Sequence, residues 1–193
     1  MLVDYVKSST ALLVLDVQRG AVSYVGEDSE LLKSLSNAVA TARKAGIRVI
    51  HAMVHFREGY PEISPRNRAF SKALATGALQ AADMSIHSAV APQPGEVIVT
   101  KERSSAFTGS DLEVVLRAQG INRLVLCGIT TGNVVLSTLL EAEDKDYELI
   151  VLSDCCADTE QDVQHVLMTK IFPRCAEVIT ADDWDKRVSE TNS

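Results

Sequence analysis

Short, wholly apolar runs alternate along the chain with longer stretches whose apolar positions recur every three or four residues. Residues 11–15 (ALLVL) are continuously apolar, the pattern of a strand buried on both faces. From residue 31 to 45 the apolar positions are Leu31, Leu32, Leu35, Val39 and Ala42, one stripe of an amphipathic helix. Gly46 supplies a stop, and residues 47–54 predict a second strand. Residues 97–100, 124–127, 149–152 and 178–180 predict four more. Between them, helices are predicted from a cap at Ser110 or Asp111 to Gln119, over 131–145, and from Thr159 to about Ile171. A short one follows from Asp182. Residues 56–94, with Pro61, Pro65, Pro92 and Pro94, read as a long irregular loop, and such loops are usually functional.

Strands separated by helices imply right-handed crossovers and a mostly parallel sheet. The expected fold is a three-layer, doubly wound α/β domain with helices on both faces, spanning residues 1–193 as one domain. No repeat, linker or low-complexity segment interrupts it. Ligands of such sheets bind beyond the carboxyl ends of the strands, at a topological switch point. That rule directs attention to Asp16, His55, Lys101 and residues 128–134 and 154–156.

Composition narrows the function. A formal net charge of −7 argues against a nucleic-acid partner, which requires a basic patch. A small anionic substrate stays open, because a few groups set the local field. The first residues, MLVDYVKSS, lack the basic segment and apolar run of a leader, and every apolar stretch is too short for a bilayer. A cytoplasmic protein without a membrane partner is expected. Cys127, Cys155, Cys156 and Cys175 show no zinc spacing, and reduced thiols are the simplest reading.

Asp16 ends the first strand, where partial desolvation raises a carboxyl pKa and suits it to proton transfer. A loop-tying carboxylate is the other reading. Lys101 ends the third strand and is placed either to hold Asp16 or to meet negative charge; most lysines are simply surface residues. Residues 128–134 (GITTGNV) open a helix, making either an anion site or a tight turn capped by Thr131. They match no phosphate-binding fingerprint. His51 and His55 share a strand face but lack a third ligand, so no metal is expected. His51 should pack inside the sheet, with His55 nearer the site mouth. Arg57, Arg66 and Arg68 are candidate carboxylate clamps or plain solvated arginines. Cys155 and Cys156 have no histidine nearby in sequence to activate them.

At these residues the chain resembles the isochorismatase-like, or cysteine hydrolase, family. The likeness rests on LLVLDVQ around Asp16, KERSSAFTGSDL from Lys101, GITTGNVVLSTLLEAEDKDY from Gly128, and LSDCCAD followed by ITADDW. These segments stand in family order and span nearly the whole chain. The resemblance implies a small-molecule hydrolase without a cofactor, assembled as a homo-oligomer. Family amidases use an aspartate, a lysine and a cysteine, and Asp16 and Lys101 match the first two. The cysteine position, six residues after Gly128, reads Val134. Valine can neither attack nor be activated, so the thioester route is closed.

Family members that hydrolyse isochorismate also lack the cysteine. Their aspartic acid protonates a vinyl ether carbon, water adds, and the hemiketal collapses. By this resemblance Asp16 is the general acid and Lys101 steadies an anionic substrate. Arg57 would meet a carboxylate, while Phe107, Ile129, Thr130 and Val134 would line the pocket. A non-proline cis peptide would fall at Ile129–Thr130. Isochorismatases usually carry glycine where this chain has Val134, which narrows the pocket. The expectation is cysteine-free hydrolysis of a small anionic compound of the vinyl ether type. A catalytically silent binding or assembly protein is the alternative, and a relocated nucleophile at Cys155 or Cys156 a third reading.

Overall fold

The computed structural model describes residues 9–26 and 29–190. The segment read for a leader therefore lies, through residue 8, outside the described residues. Six strands form one parallel sheet: β1 Thr10–Leu15, β2 Arg48–Val54, β3 Val97–Lys101, β4 Arg123–Ile129, β5 Glu148–Ala157 and β6 Glu177–Ile179. Their order is β3-β2-β1-β4-β5-β6. The chain winds outward from β1 in one direction, then restarts beside β1 with β4. The switch point thus falls between β1 and β4, as the doubly wound reading requires.

The continuous apolar run of β1 is explained by its central place: all six residues are buried. Leu12 and Val14 face one helical layer, where α2 (Ser29–Lys44) contributes Leu31, Leu35 and Val39 and α8 (Ala181–Glu190) contributes Trp184. Leu13 and Leu15 face the opposite layer, with Leu112 and Leu116 of α5 (Leu112–Ala118) and Leu139 of α6 (Leu136–Glu143). Two cores therefore sandwich one sheet. At the switch point the strands approach so closely that a Cβ on Gly128 would lie 2.1 Å from the Leu15 carbonyl oxygen. Only glycine fits there.

Several elements depart from the sequence pattern. The polar stretch after β1 forms α1 (Arg19–Val25), which buries only Val22. The supposedly irregular 56–94 segment holds α3 (Arg68–Ala75) and α4 (Ala78–Ala81), neither with a fully buried residue. β5 runs five residues past its apolar core, to Ala157, because its polar residues find partners: the Ser153 hydroxyl donates to the Ile179 carbonyl and Asp154 accepts from the Ala181 N–H. The predicted helix from Thr131 opens as a wide π-turn over Thr131–Val135 before α6. α7 (Gln161–Val166) begins after Glu160 rather than at a Thr159 cap. Ser110, not Asp111, caps α5, its hydroxyl oxygen accepting from the Leu112 N–H at 3.1 Å. Among the described residues, no helix is long and apolar enough to cross a membrane.

Candidate active site

β1 and β3 are separated by β2, yet their carboxyl ends converge through one ion pair. Lys101 reaches under the end of β2, and its Nζ lies 2.8 Å from Oδ2 of Asp16. Both side chains are buried, Lys101 completely. Asp16 Oδ1 also accepts the Val54 N–H at 2.9 Å, and its own N–H donates to Ala52 at 2.8 Å. These bonds hold Asp16 at φ 47°, a left-handed conformation that few residues other than glycine adopt. The lysine donates a further hydrogen bond to the Arg103 carbonyl at 3.0 Å. Burial raises the Asp16 pKa above the usual carboxylate value, against the opposing pull of the Lys101 ammonium and the Val54 N–H. An acid of this kind keeps its proton to higher pH and so has one to donate, and the ammonium then steadies the carboxylate left behind.

Gln18 ties the surroundings together. Its amide donates to the carbonyls of Met84 at 2.6 Å and Val54 at 3.1 Å, while its oxygen accepts the Val54 N–H at 3.1 Å. The loop before β3 is thereby pinned to the ends of β1 and β2. Across the switch point, the Ile129–Thr130 peptide is cis, as the family resemblance implies. The Thr130 carbonyl accepts the N–H groups of both Val134 and Val135, at 3.0 and 3.2 Å. Gly132 N–H donates to Asp158 Oδ2 at 2.6 Å, anchoring this turn to the end of β5.

Asp16, Lys101, Ile129, Thr130 and Val134 line one cavity of about 320 Å³. Sequence reasoning missed most of its outer wall: Tyr24, Phe70, Leu79 and Met84 come from α1, α3, α4 and the following loop. No local pattern marks them, since their shared surface exists only after the chain folds back. The one available signal was Gln18, a buried polar residue two positions beyond Asp16.

Two expected substrate contacts lie away from this cavity. The Arg57 side chain is 75% exposed, pairs with Glu62 at 2.5 Å, and does not line the cavity. Phe107 is buried in the core beneath α6, its ring centroid 5.8 Å from that of Tyr147. Arg66, Arg68 and the exposed His55 do not line the cavity either. His51 packs inside the sheet, with Nε2 3.3 Å from Glu96. No three His, Cys, Asp or Glu residues gather as a metal-ligand set among the described residues.

No cysteine lines the Asp16 cavity. Cys127 and Cys155 are buried and their thiols pushed upward by desolvation. Cys156 faces a neighbouring hollow of about 590 Å³ between α2 and α7, and burial raises it to about 12. A thiol so protonated is a poor nucleophile, which speaks against the relocated-nucleophile reading although His165 lines the same hollow.

Comparison with known proteins agrees with this architecture. The isochorismatase domain matches residues 10–183, and the chain belongs to that family. It is 36% identical over 172 residues to the ureidoacrylate amidohydrolase RutB of Stutzerimonas stutzeri, covering 76% of this chain and 69% of that protein. To the maleamate amidohydrolase of Pseudomonas putida it is 28% identical over 183 residues, covering 90% and 84%. A crystal structure of a cysteine hydrolase from Pseudomonas syringae pv. phaseolicola superposes with a TM-score of 0.85 at 26% identity, covering 96% and 94%.

Proposed function

We propose that this chain hydrolyses a small molecule without a covalent intermediate, with Asp16 as the proton donor and Lys101 as its partner. One observation carries the reading: a buried acid–ammonium pair opens onto a cavity lined by Val134, the residue that the resemblance sets at the cysteine position. An amidohydrolase route through a thioester needs a thiolate, and none faces the pair. Enol ether hydrolysis needs only an acid and water. Asp16 protonates the terminal carbon of the C=C–O unit, and water adds to the oxocarbenium carbon so formed. The surplus proton of the added water returns to the Asp16 carboxylate, and the neutral hemiketal passes its hydroxyl proton to the leaving oxygen as it collapses to an alcohol and a ketone. Lys101 stabilises the carboxylate while it is ionised.

The test is turnover of a panel of enol ethers, esters and amides by the wild type, by Asp16→Asn, and by protein whose cysteines are alkylated. Enol ether hydrolysis should fall about 10²–10⁴-fold in Asp16→Asn and be indifferent to alkylation. Thiol-dependent amide turnover with a trapped acyl-enzyme would overturn the proposal. Turnover of nothing would favour the silent binding protein.

A further inference from the structure

The charges around the Asp16 cavity say what kind of molecule it accepts. Lys101 is the one cation among the described residues that line it, and no arginine does. Two of its three N–H groups are already engaged, by the Asp16 carboxylate and by the Arg103 carbonyl. The nearest expected clamp, Arg57, points to solvent and is neutralised by Glu62. A carboxylate entering this space would lose its water and find no cation but an ammonium already bonded to Asp16 and to the Arg103 carbonyl. Such burial is unfavourable unless a free partner repays it.

The remaining surface is of the opposite kind. Tyr24, Phe70, Leu79, Met84, Ile129 and Val134 present apolar groups, with alanines between them. Against that wall stand Ser104, Thr130 and Asn133, whose side chains make no hydrogen bond among the described residues. They are uncharged donors and acceptors, half-buried at Ser104 and Thr130 and exposed at Asn133, that a ligand can reach. The volume, about 320 Å³, lies at the small end of the roughly 300–1,000 Å³ range of ligand sites.

We infer that the Asp16 cavity selects a small uncharged molecule with an apolar body and one hydrogen-bonding end, and rejects carboxylates of the same shape. The inference rests on reading this cavity as the hydrolytic site, and it replaces the anionic substrate expected from the family resemblance. Combined with the acid chemistry of Asp16, it points to a neutral enol ether. Isochorismate, with its two carboxylates, is the wrong kind of ligand.

The experiment compares two isosteres, benzamide and benzoate, by titration while following the methyl resonances of Leu79, Ile129 and Val134. Wild-type protein should bind benzamide at least tenfold more tightly than benzoate, with shifts confined to those methyls. Leu79→Arg, on a short and half-exposed helix, should reverse or narrow that preference at least tenfold by supplying the missing free cation. Benzoate binding equal to or tighter than benzamide in the wild type overturns the inference, as does binding of neither probe or shifts elsewhere in the molecule. Binding is read separately from turnover. Benzamide seated in the cavity, with no hydrolysis of any uncharged enol ether, upholds the selectivity and sinks the hydrolase. Asp16-dependent turnover of an anionic enol ether does the reverse.

Discussion

Two carboxylates, one buried and one half-buried, sit some distance apart in this protein, each with a basic partner, and their acidities move in opposite directions. Glu96 receives Arg43 in a forked contact at 2.7 and 2.8 Å, the Gln93 N–H at 2.8 Å, and His51 at 3.3 Å. Its pKa falls to about 2. Asp16 receives one ammonium and one backbone N–H, and its pKa rises because desolvation outweighs both. Asp16 is buried, whereas Glu96 is only half-buried at the sheet edge. What differs is the depth of burial and the supply of donors. A carboxylate surrounded by four donors is locked as an anion and serves the fold, whereas one given two donors in a dry place keeps its proton within reach of chemistry.

The strongest way to break this contrast is to remove one half of the sparer pair. Lys101→Met should cost about 3–5 kcal/mol by leaving a buried carboxylate without its partner, and should push Asp16 further upward. Urea unfolding measures the loss. The double variant with Asp16→Asn should recover part of it, and additive losses would show that the two residues are not coupled.

Acid titration sharpens the other half. Glu96 is depressed from 4.5 to about 2, so its contribution is present above the ordinary carboxylate value and is lost as pH falls toward 2. His51 acts in the same sense: burial lowers its pKa below 6.5, so acid protonates the unfolded chain first. Asp16 has the reverse sign, its contribution being full below 3.8 and lost as pH rises through its folded value. Glu96→Gln should therefore cost on the order of 1–3 kcal/mol at pH 7 and much less near pH 2. Urea midpoints at the two pH values decide it. An equal loss at both would mean that packing, not charge, holds Glu96.

Val134→Cys should perturb stability by about 1 kcal/mol or less while placing a thiol on the wall that Asp16 and Lys101 share. It should react with iodoacetamide far faster than the four native cysteines. A rate no different from theirs would mean that the position is closed to the cavity. Arg57→Ala should be the quietest change, within about 0.5 kcal/mol and without effect on KM. A rise in KM would return Arg57 to the substrate.

Periodicity and strand-end position made much of this protein legible before any coordinates. The continuous run of β1 and the 3.6-residue stripe of α2 follow from burial on two faces or one, which a linear pattern records directly. Asp16 and Lys101 were visible for a related reason, as charges that interrupt apolar strands at their carboxyl ends. Cavity walls have no such record. Tyr24, Phe70 and Met84 are far apart in sequence and meet because α1, α3 and the loop pinned by Gln18 fold over the sheet edge. Phe107 and Arg57 lie away from the cavity for the converse reason: adjacency to a motif in sequence does not fix which way a side chain turns. Sequence alone determined the layered fold and the acid–lysine pair, because both depend on local hydrophobic pattern. The charge and shape of the space beside that pair were decided only by tertiary structure, because they depend on which distant side chains arrive there and which find other partners.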